Sequence, residues 1–168
     1  MTGNNPTDRS KLGTKRHILT DKKGIPMSAV ITSANTHDIK AVTDVMDNAV
    51  IKQQQLTSPT PTAKTKTIKQ HLCLDRAYSS KVVEQEIIKR GYVPHMPHKR
   101  KRGDNTKDKE KTFQKKYHPR RRWVVERTNS WHNRFRKLFT RYEKKAENYL
   151  GLVQLSCSII IYRKIVLG

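Results

Sequence analysis

The apolar residues of this chain follow two different periods. Residues 15–20 and 25–33 are short apolar, β-branched runs on either side of a turn, Asp21-Lys22-Lys23-Gly24, which predicts a β-hairpin. After the hairpin, apolar residues recur at spacings of three and four. They are Ile39, Val42, Val45, Met46 and Ala49, and they predict an amphipathic helix of about three turns.

A further apolar run lies at residues 71–75 and ends on Asp75. A helix is predicted from Ser79 or Ser80 to Gly91, followed by a strand at 92–96. This order indicates a βαβ unit with parallel strands. Two more helices are predicted, a basic one at 120–138 that follows Pro119 and an apolar one at about 146–166 that should be buried across a sheet.

Two segments interrupt these elements. Residues 52–69 are rich in Gln, Thr, Pro and Lys, which is typical of a loop or flexible insertion. Residues 98–118 are highly charged and fit either a solvated loop or a DNA-contacting loop. We therefore predict one α/β domain over residues 1–168 with a flexible insertion and a basic loop.

The charge of the chain narrows the class of partner. It has 36 Lys and Arg against 14 Asp and Glu, a formal net charge of +22, which favours a polyanion such as nucleic acid. The basic residues are not gathered in a juxtamembrane cluster, and the apolar stretch at 148–162 is shorter than a bilayer requires, so no membrane is expected. Cys73 and Cys157 predict buried thiols in a reducing, cytosolic compartment.

Two carboxylates are candidates for chemistry. Glu126 is the lone acid of the basic helix, and Asp75 lies at the end of a predicted strand, where open α/β sheets bind ligands. Together they could hold Mg²⁺, which prefers oxygen ligands. The alternatives are a capping role for Asp75, and dipole compensation with pairing to Arg122 for Glu126.

Helical geometry describes the surroundings of Glu126. At about 100° per residue, Arg122, Asn133 and Lys137 share its side of the predicted helix. This arrangement suits metal and phosphate together, and it equally suits a surface ion-pair ladder. Trp123 and Trp131 fit packing in the core or between subdomains better than stacking on bases.

Other cofactor chemistry has little support in the sequence. His and Cys residues form no spacing typical of a structural zinc site, and there is no GxGxxG or Walker-type loop for nucleotide hydrolysis.

Several blocks resemble the catalytic half of bacterial insertion-sequence transposases with an Asp-Asp-Glu site. The blocks are Asn5-Pro6-Thr7-Asp8-Arg9 with Gly13-Thr14-Lys15-Arg16-His17, Ala34-Asn35-Thr36-His37-Asp38, Leu74-Asp75-Arg76-Ala77-Tyr78, residues 122–138 and residues 141–150. The resemblance implies a ribonuclease-H-like fold, a mixed sheet flanked by helices. It also implies Mg²⁺-dependent strand cleavage and strand transfer at the ends of a mobile element.

The resemblance also implies roles for individual residues. Asp75 looks like the second catalytic aspartate and Glu126 like the catalytic glutamate, both as Mg²⁺ ligands, with Arg122 on DNA phosphates. The family signature has a tyrosine three residues before that arginine and a basic residue seven after the glutamate. Here those positions hold Pro119 and Asn133, so we expect Lys137 or Arg134 to supply the missing DNA-contacting charge.

The first catalytic aspartate of the family lies on a strand before the Asn5–Arg9 block, and neither Asp8 nor Asp21 occupies a matching context. We therefore expect the sheet to lack its first strand and this polypeptide alone to be poorly active or inactive. It would be a truncated remnant or the downstream frame of a frameshifted enzyme.

Expected partners are element-end and target DNA, with a second copy of the chain or an upstream-encoded transposase portion. The expected localisation is the bacterial cytoplasm, in association with the nucleoid. The alternative function is that of a non-catalytic basic DNA-binding protein.

Overall fold

The computed structural model describes residues 2–6, 9–51, 70–96 and 123–167. It divides the chain into two compact units, Met1–Val50 with Arg100–Gly168, and Ile51–Lys99. The insertion predicted at 52–69, the basic loop predicted at 98–118, and the helix start predicted at Pro119 lie outside the described residues.

The first unit contains an antiparallel sheet whose strands follow chain order. Its strands are β1 (Gly3–Asn4), β2 (Leu12–Thr20) and β3 (Pro26–Ser33). The predicted hairpin is confirmed, since β2 and β3 pair from Thr14 opposite Ser33 to Thr20 opposite Pro26. The side chain of Asp21 closes the turn by accepting hydrogen bonds of 2.8 Å from the backbone N–H groups of Lys23 and Ile25.

The helical segment after β3 has about the predicted length but is not a single α-helix. It consists of a 3₁₀ turn (Asp38–Ala41) that runs into α1 (Val42–Asp47). The predicted apolar face is correct, with Val42, Met46 and Ala49 buried. Lys15 fixes the start of this segment, because its ammonium group donates to the Thr36 carbonyl and to the Asp38 carboxylate at 2.9 Å each.

The second unit confirms the predicted βαβ order with parallel strands. Strand β4 (His71–Cys73) pairs in parallel with β5 (Val93–His95), and a 3₁₀ turn (Arg76–Tyr78) and α2 (Lys81–Lys89) connect them. Gly91 ends the helix as predicted, with φ of 81° and its N–H bonded to the Ile88 carbonyl at 2.8 Å.

The cysteine prediction is wrong for Cys73, which is exposed, whereas Cys157 is half-buried. The alternation of side chains along β4 explains why Cys73 is exposed. Leu72 points into the unit and is buried, so its neighbours His71 and Cys73 lie on the opposite, exposed face.

The predicted continuous basic helix is broken near its end. It forms α3 (Trp123–Asn133) and a single turn, α4 (Arg136–Phe139), with Phe135 in extended conformation between them. Tertiary packing explains the break. Phe135 and Leu138 both pack into the core that joins the helices to the sheet, and the Leu138 carbonyl accepts a bond of 3.3 Å from the Tyr149 hydroxyl.

The last helix, α5 (Ala146–Ile165), lies where it was predicted and packs against β3 through Tyr149 and Val153, which meet Ile31 in the core. The expectation that it is buried is wrong for most of its surface. Its buried side chains form a single stripe at Tyr149, Val153, Ser156 and Ile160. No helix among the described residues is both long and apolar enough to cross a membrane.

Candidate active site

Helix α3 carries Glu126 and is fixed to the hairpin turn by two neighbouring residues. Arg127 donates from Nη2 to the Lys23 carbonyl at 2.5 Å, and Thr128 donates from Oγ1 to the Gly24 carbonyl at 2.6 Å. Thr128 is fully buried. Because two consecutive carbonyls are engaged by two consecutive side chains, both the position and the rotation of the helix are set.

The faces of α3 are clearly separated. Val124, Thr128 and His132 are buried, while Glu126 and Asn133 are exposed. At about 100° per residue, the two exposed residues lie close to the side opposite the buried stripe. The helix therefore presents Glu126 to solvent on a rigid support.

Glu126 has no hydrogen-bond or ion-pair partner within the part of the chain that the structure describes. Arg122, its predicted partner one turn earlier, lies outside the described residues, so the ion pair between them stays a prediction. The acid stands in the first turn of the helix, where the helix dipole favours a negative charge.

The break after Asn133 changes the surroundings predicted for Glu126. Lys137 lies on α4, so the helical geometry that placed it on the side of Glu126 does not apply. Arg134 lies in the break itself and is exposed. Contacts of Arg134 and Lys137 with DNA remain predictions.

A basic side chain from elsewhere reaches this face of α3. Arg16, on β2, donates from Nη2 to the Asn133 side-chain oxygen at 2.7 Å. The sequence gives no periodic signal for this contact, because the two residues are 117 positions apart.

Asp75 lies where the sequence places it, directly after β4 at the carboxyl end of the parallel pair. Its carboxylate accepts a hydrogen bond of 2.7 Å from the Arg76 N–H and caps the 3₁₀ turn. The alternative that Asp75 has a capping role is confirmed for this 3₁₀ turn. Asp75 does not cap α2, whose N-cap residue is Ser80. A carboxylate has about four acceptor positions, so this bond is compatible with metal ligation.

The two predicted metal ligands belong to different units, Asp75 to the second and Glu126 to the first. In the described ranges, no three His, Cys, Asp or Glu side chains gather to hold a metal ion. Both candidates are nevertheless carboxylates, one of them exposed and unpaired among the described residues, and hard oxygen donors of this kind fit Mg²⁺.

The tryptophans of α3 form a ladder with two cations. The Arg127 guanidinium lies 4.6 Å from the ring centre of Trp123 and 5.0 Å from that of Trp131, and Lys164 lies 5.0 Å from Trp131. Trp123 is 53% exposed, so the core alternative of the prediction is wrong for it, while packing between subdomains stays a prediction. The stacked guanidinium holds the Arg127 side chain in line with the Lys23 carbonyl.

A buried polar cluster supports the opposite side of α3. His132 Nδ1 lies 2.6 Å from Ser156 Oγ, which itself donates to the Val153 carbonyl, so the imidazole carries its proton on Nδ1 and donates to the serine. Burial, with a smaller effect of the Arg16 charge, lowers the pKa of His132 to about 4. Burial raises the pKa of the Cys157 thiol to about 11. Both groups are therefore neutral at pH 7 and act in packing.

Comparison with known proteins identifies the family. The family described as the transposase DDE domain matches residues 2–161, almost the whole chain. The chain belongs to this transposase family. A protein named as a putative transposase for insertion sequence element IS402, from Burkholderia cepacia, is 31% identical over 161 residues, which cover 96% of this chain and 68% of that protein.

Family membership confirms the resemblance to insertion-sequence transposases. Because a transposase acts on DNA, DNA is the polyanion that the net charge of +22 favours. The mixed α/β architecture is confirmed as well. No solved structure matches the chain.

Proposed function

We propose that this chain carries out DNA transposition, with Asp75 and Glu126 as Mg²⁺ ligands in strand cleavage and strand transfer at the ends of an insertion sequence. One observation carries most weight. Glu126 is an exposed carboxylate without an ion-pair partner in the described part of a strongly basic chain, on a helix whose rotation is fixed by Arg127 and Thr128. An exposed acid on a rigid support is suited to binding a cation that arrives with the substrate.

Different residues of the chain would bind the metal ion and the DNA phosphates in such a reaction. Glu126 and Asp75 would contribute oxygen ligands, and basic residues near α3, with Arg122, Arg134 and Lys137 as candidates, would hold the phosphate groups of the DNA strand. When bound, Mg²⁺ would activate a water or 3′-hydroxyl nucleophile and stabilise charge on the phosphodiester oxygens. The fixed helix keeps Glu126 in place while the DNA is exchanged.

A ribonuclease-H-like arrangement is part of the proposal. Strand β1 pairs only with Leu12 and Gly13 of the nine-residue β2. The rest of that edge of β2 has no strand partner among the described residues. An unpaired edge of this length favours an additional strand beside β2, as the ribonuclease-H-like sheet requires.

The proposal is tested with purified protein and DNA that carries the element ends. Nicking and joining are measured with Mg²⁺ and with EDTA, for this chain and for a longer polypeptide read from the upstream codons. Mg²⁺-dependent cutting by either form, with products joined to target DNA, supports transposition. Cutting without joining would indicate a nuclease, and tight binding without cutting by either form would indicate a non-catalytic DNA-binding protein.

A further inference from the structure

Arg16 occupies an unusual position for an arginine of a β-strand. Its side chain is half-buried and crosses from β2 to the end of α3, where Nη2 donates to the Asn133 side-chain oxygen at 2.7 Å. This bond lies at the surface of the protein. The guanidinium is thus held beside α3 by an uncharged group.

The contact lies on the same face of α3 as Glu126. Glu126 and Asn133 are seven residues apart in one unbroken helix, which separates them by only about 20° around the axis and about 10 Å along it. The Arg16 guanidinium therefore extends the exposed face of α3 that begins with Glu126.

Within the part of the chain that the structure describes, the charge of Arg16 is poorly compensated. In the described residues Arg16 forms no ion pair, and its buried Nη1 has no acceptor. A charged donor that is buried without an acceptor destabilises the protein, because the group has lost its hydration without replacement. Arg127 also has an unsatisfied nitrogen, but its guanidinium is enclosed between two tryptophan rings and bound to a carbonyl. Within the described ranges, no aromatic ring stacks on the guanidinium of Arg16.

We propose that Arg16, oriented by Asn133, is a phosphate contact for a DNA strand that lies along the Glu126 face of α3. The inference rests on DNA as the substrate of the proposed function. Because Nη1 is buried, the Nη2 group at the surface is the one that can donate to a phosphate oxygen. Asn133 takes one Nη2 hydrogen and leaves the other for the ligand, so the amide acts as a positioning residue.

The test compares DNA affinity across a range of salt concentrations for Arg16→Gln and Lys40→Gln. Each variant removes one positive charge, and Lys40 is an exposed residue of the first 3₁₀ turn. Affinity falls with salt, and loss of one phosphate contact reduces the magnitude of the slope of log affinity against log salt by about 0.9. The affinity loss between 50 and 200 mM salt then becomes roughly threefold smaller. We expect this change for Arg16→Gln and an unchanged slope for Lys40→Gln.

A double variant separates a phosphate contact from a purely structural tie. In Arg16→Gln with Asn133→Lys, the ammonium group would stand on the same face of α3 and should restore the slope. Thermal melting of each variant shows whether the fold is retained. A lower melting temperature for Arg16→Gln with an unchanged salt slope would overturn the proposal, as would an equal change of slope for Lys40→Gln.

Affinity and cutting are separate readouts, so the two proposals can fail independently. A slope change specific to Arg16, in a protein that never cuts DNA, would support the phosphate contact and contradict the proposed catalysis. Mg²⁺-dependent cutting with an unchanged salt slope for Arg16→Gln would support the proposed catalysis and contradict the phosphate contact.

Discussion

Thr128 donates its hydroxyl hydrogen bond to the Gly24 carbonyl at 2.6 Å, across 104 residues of sequence. This bond joins the turn of the hairpin to the helix that carries Glu126. The orientation of the candidate catalytic acid therefore depends on a residue two positions further along the same helix.

Replacement of Thr128 by valine should test this link. Valine keeps the shape of the side chain and removes the donor, which leaves the Gly24 carbonyl without its partner in a buried site. We expect a loss of about 1–2 kcal/mol in the free energy of unfolding, measured by urea denaturation. Thr128→Ser keeps the hydroxyl and should lose less, while equal losses for both variants would contradict the role of the hydrogen bond.

Gly24 is the other half of the same contact. Its φ is 83°, and a Cβ there would lie 3.0 Å from Thr128 Oγ1. Gly24→Ala should therefore destabilise the protein by more than about 1 kcal/mol. Gly151 is the matched control, since it lies in α5 with nothing within 4 Å of an added Cβ. Gly151→Ala should stabilise by up to about 1 kcal/mol, and the same sign for both variants would contradict the prediction.

Acid should destabilise the protein through His132. The unfolded imidazole titrates near pH 6.5 and the folded one at about 4, so the unfolded state binds more protons between these values. The contribution of His132 to the free energy of unfolding is complete above about pH 6.5 and is lost as the pH falls towards 4. It amounts to roughly 3 kcal/mol.

Two measurements check the role of His132. Denaturation at pH 7 and pH 4.5 should show a smaller difference for His132→Gln than for the unchanged protein. An NMR titration of the imidazole in the folded protein should give a pKa far below 6.5, and a midpoint near 6.5 would contradict the account.

The two cysteines should differ in reactivity. Cys73 is exposed on β4, whereas Cys157 lies near His132 and burial raises the pKa of its thiol to about 11. A thiol reagent at pH 8 should therefore modify one cysteine rapidly in the folded protein and two after unfolding. Cys73→Ser should abolish the rapid reaction, and persistence of that reaction would show that Cys157 is accessible.

The sequence predicts the elements whose pattern is local. The hairpin follows from its turn and β-branched runs, and the βαβ order from a strand, a capped helix and Gly91. It also places Asp75 at a strand end and Glu126 on a helix, because these positions depend only on neighbouring residues.

The contacts that position the candidate site could not be predicted in this way. The bonds from Arg16 to Asn133 and from Thr128 to Gly24 join residues more than 100 positions apart, and no periodicity marks them. The break at Phe135 results from packing against the core, which overrides helical propensity. Helical spacing likewise did not reveal that Trp123 faces solvent and stacks on Arg127.

Glu126→Gln provides the most direct test of the central claim. The matched control is Glu147→Gln, because Glu147 is also an exposed acid in the first turn of a helix of the same unit. The rate of Mg²⁺-dependent cutting of element-end DNA is compared in the form of the protein that cuts. Glu126→Gln should lower this rate by roughly a hundredfold or more with DNA affinity retained, whereas Glu147→Gln should not. Cutting by Glu126→Gln at the rate of the unchanged protein would contradict the assignment of Glu126 as a metal ligand.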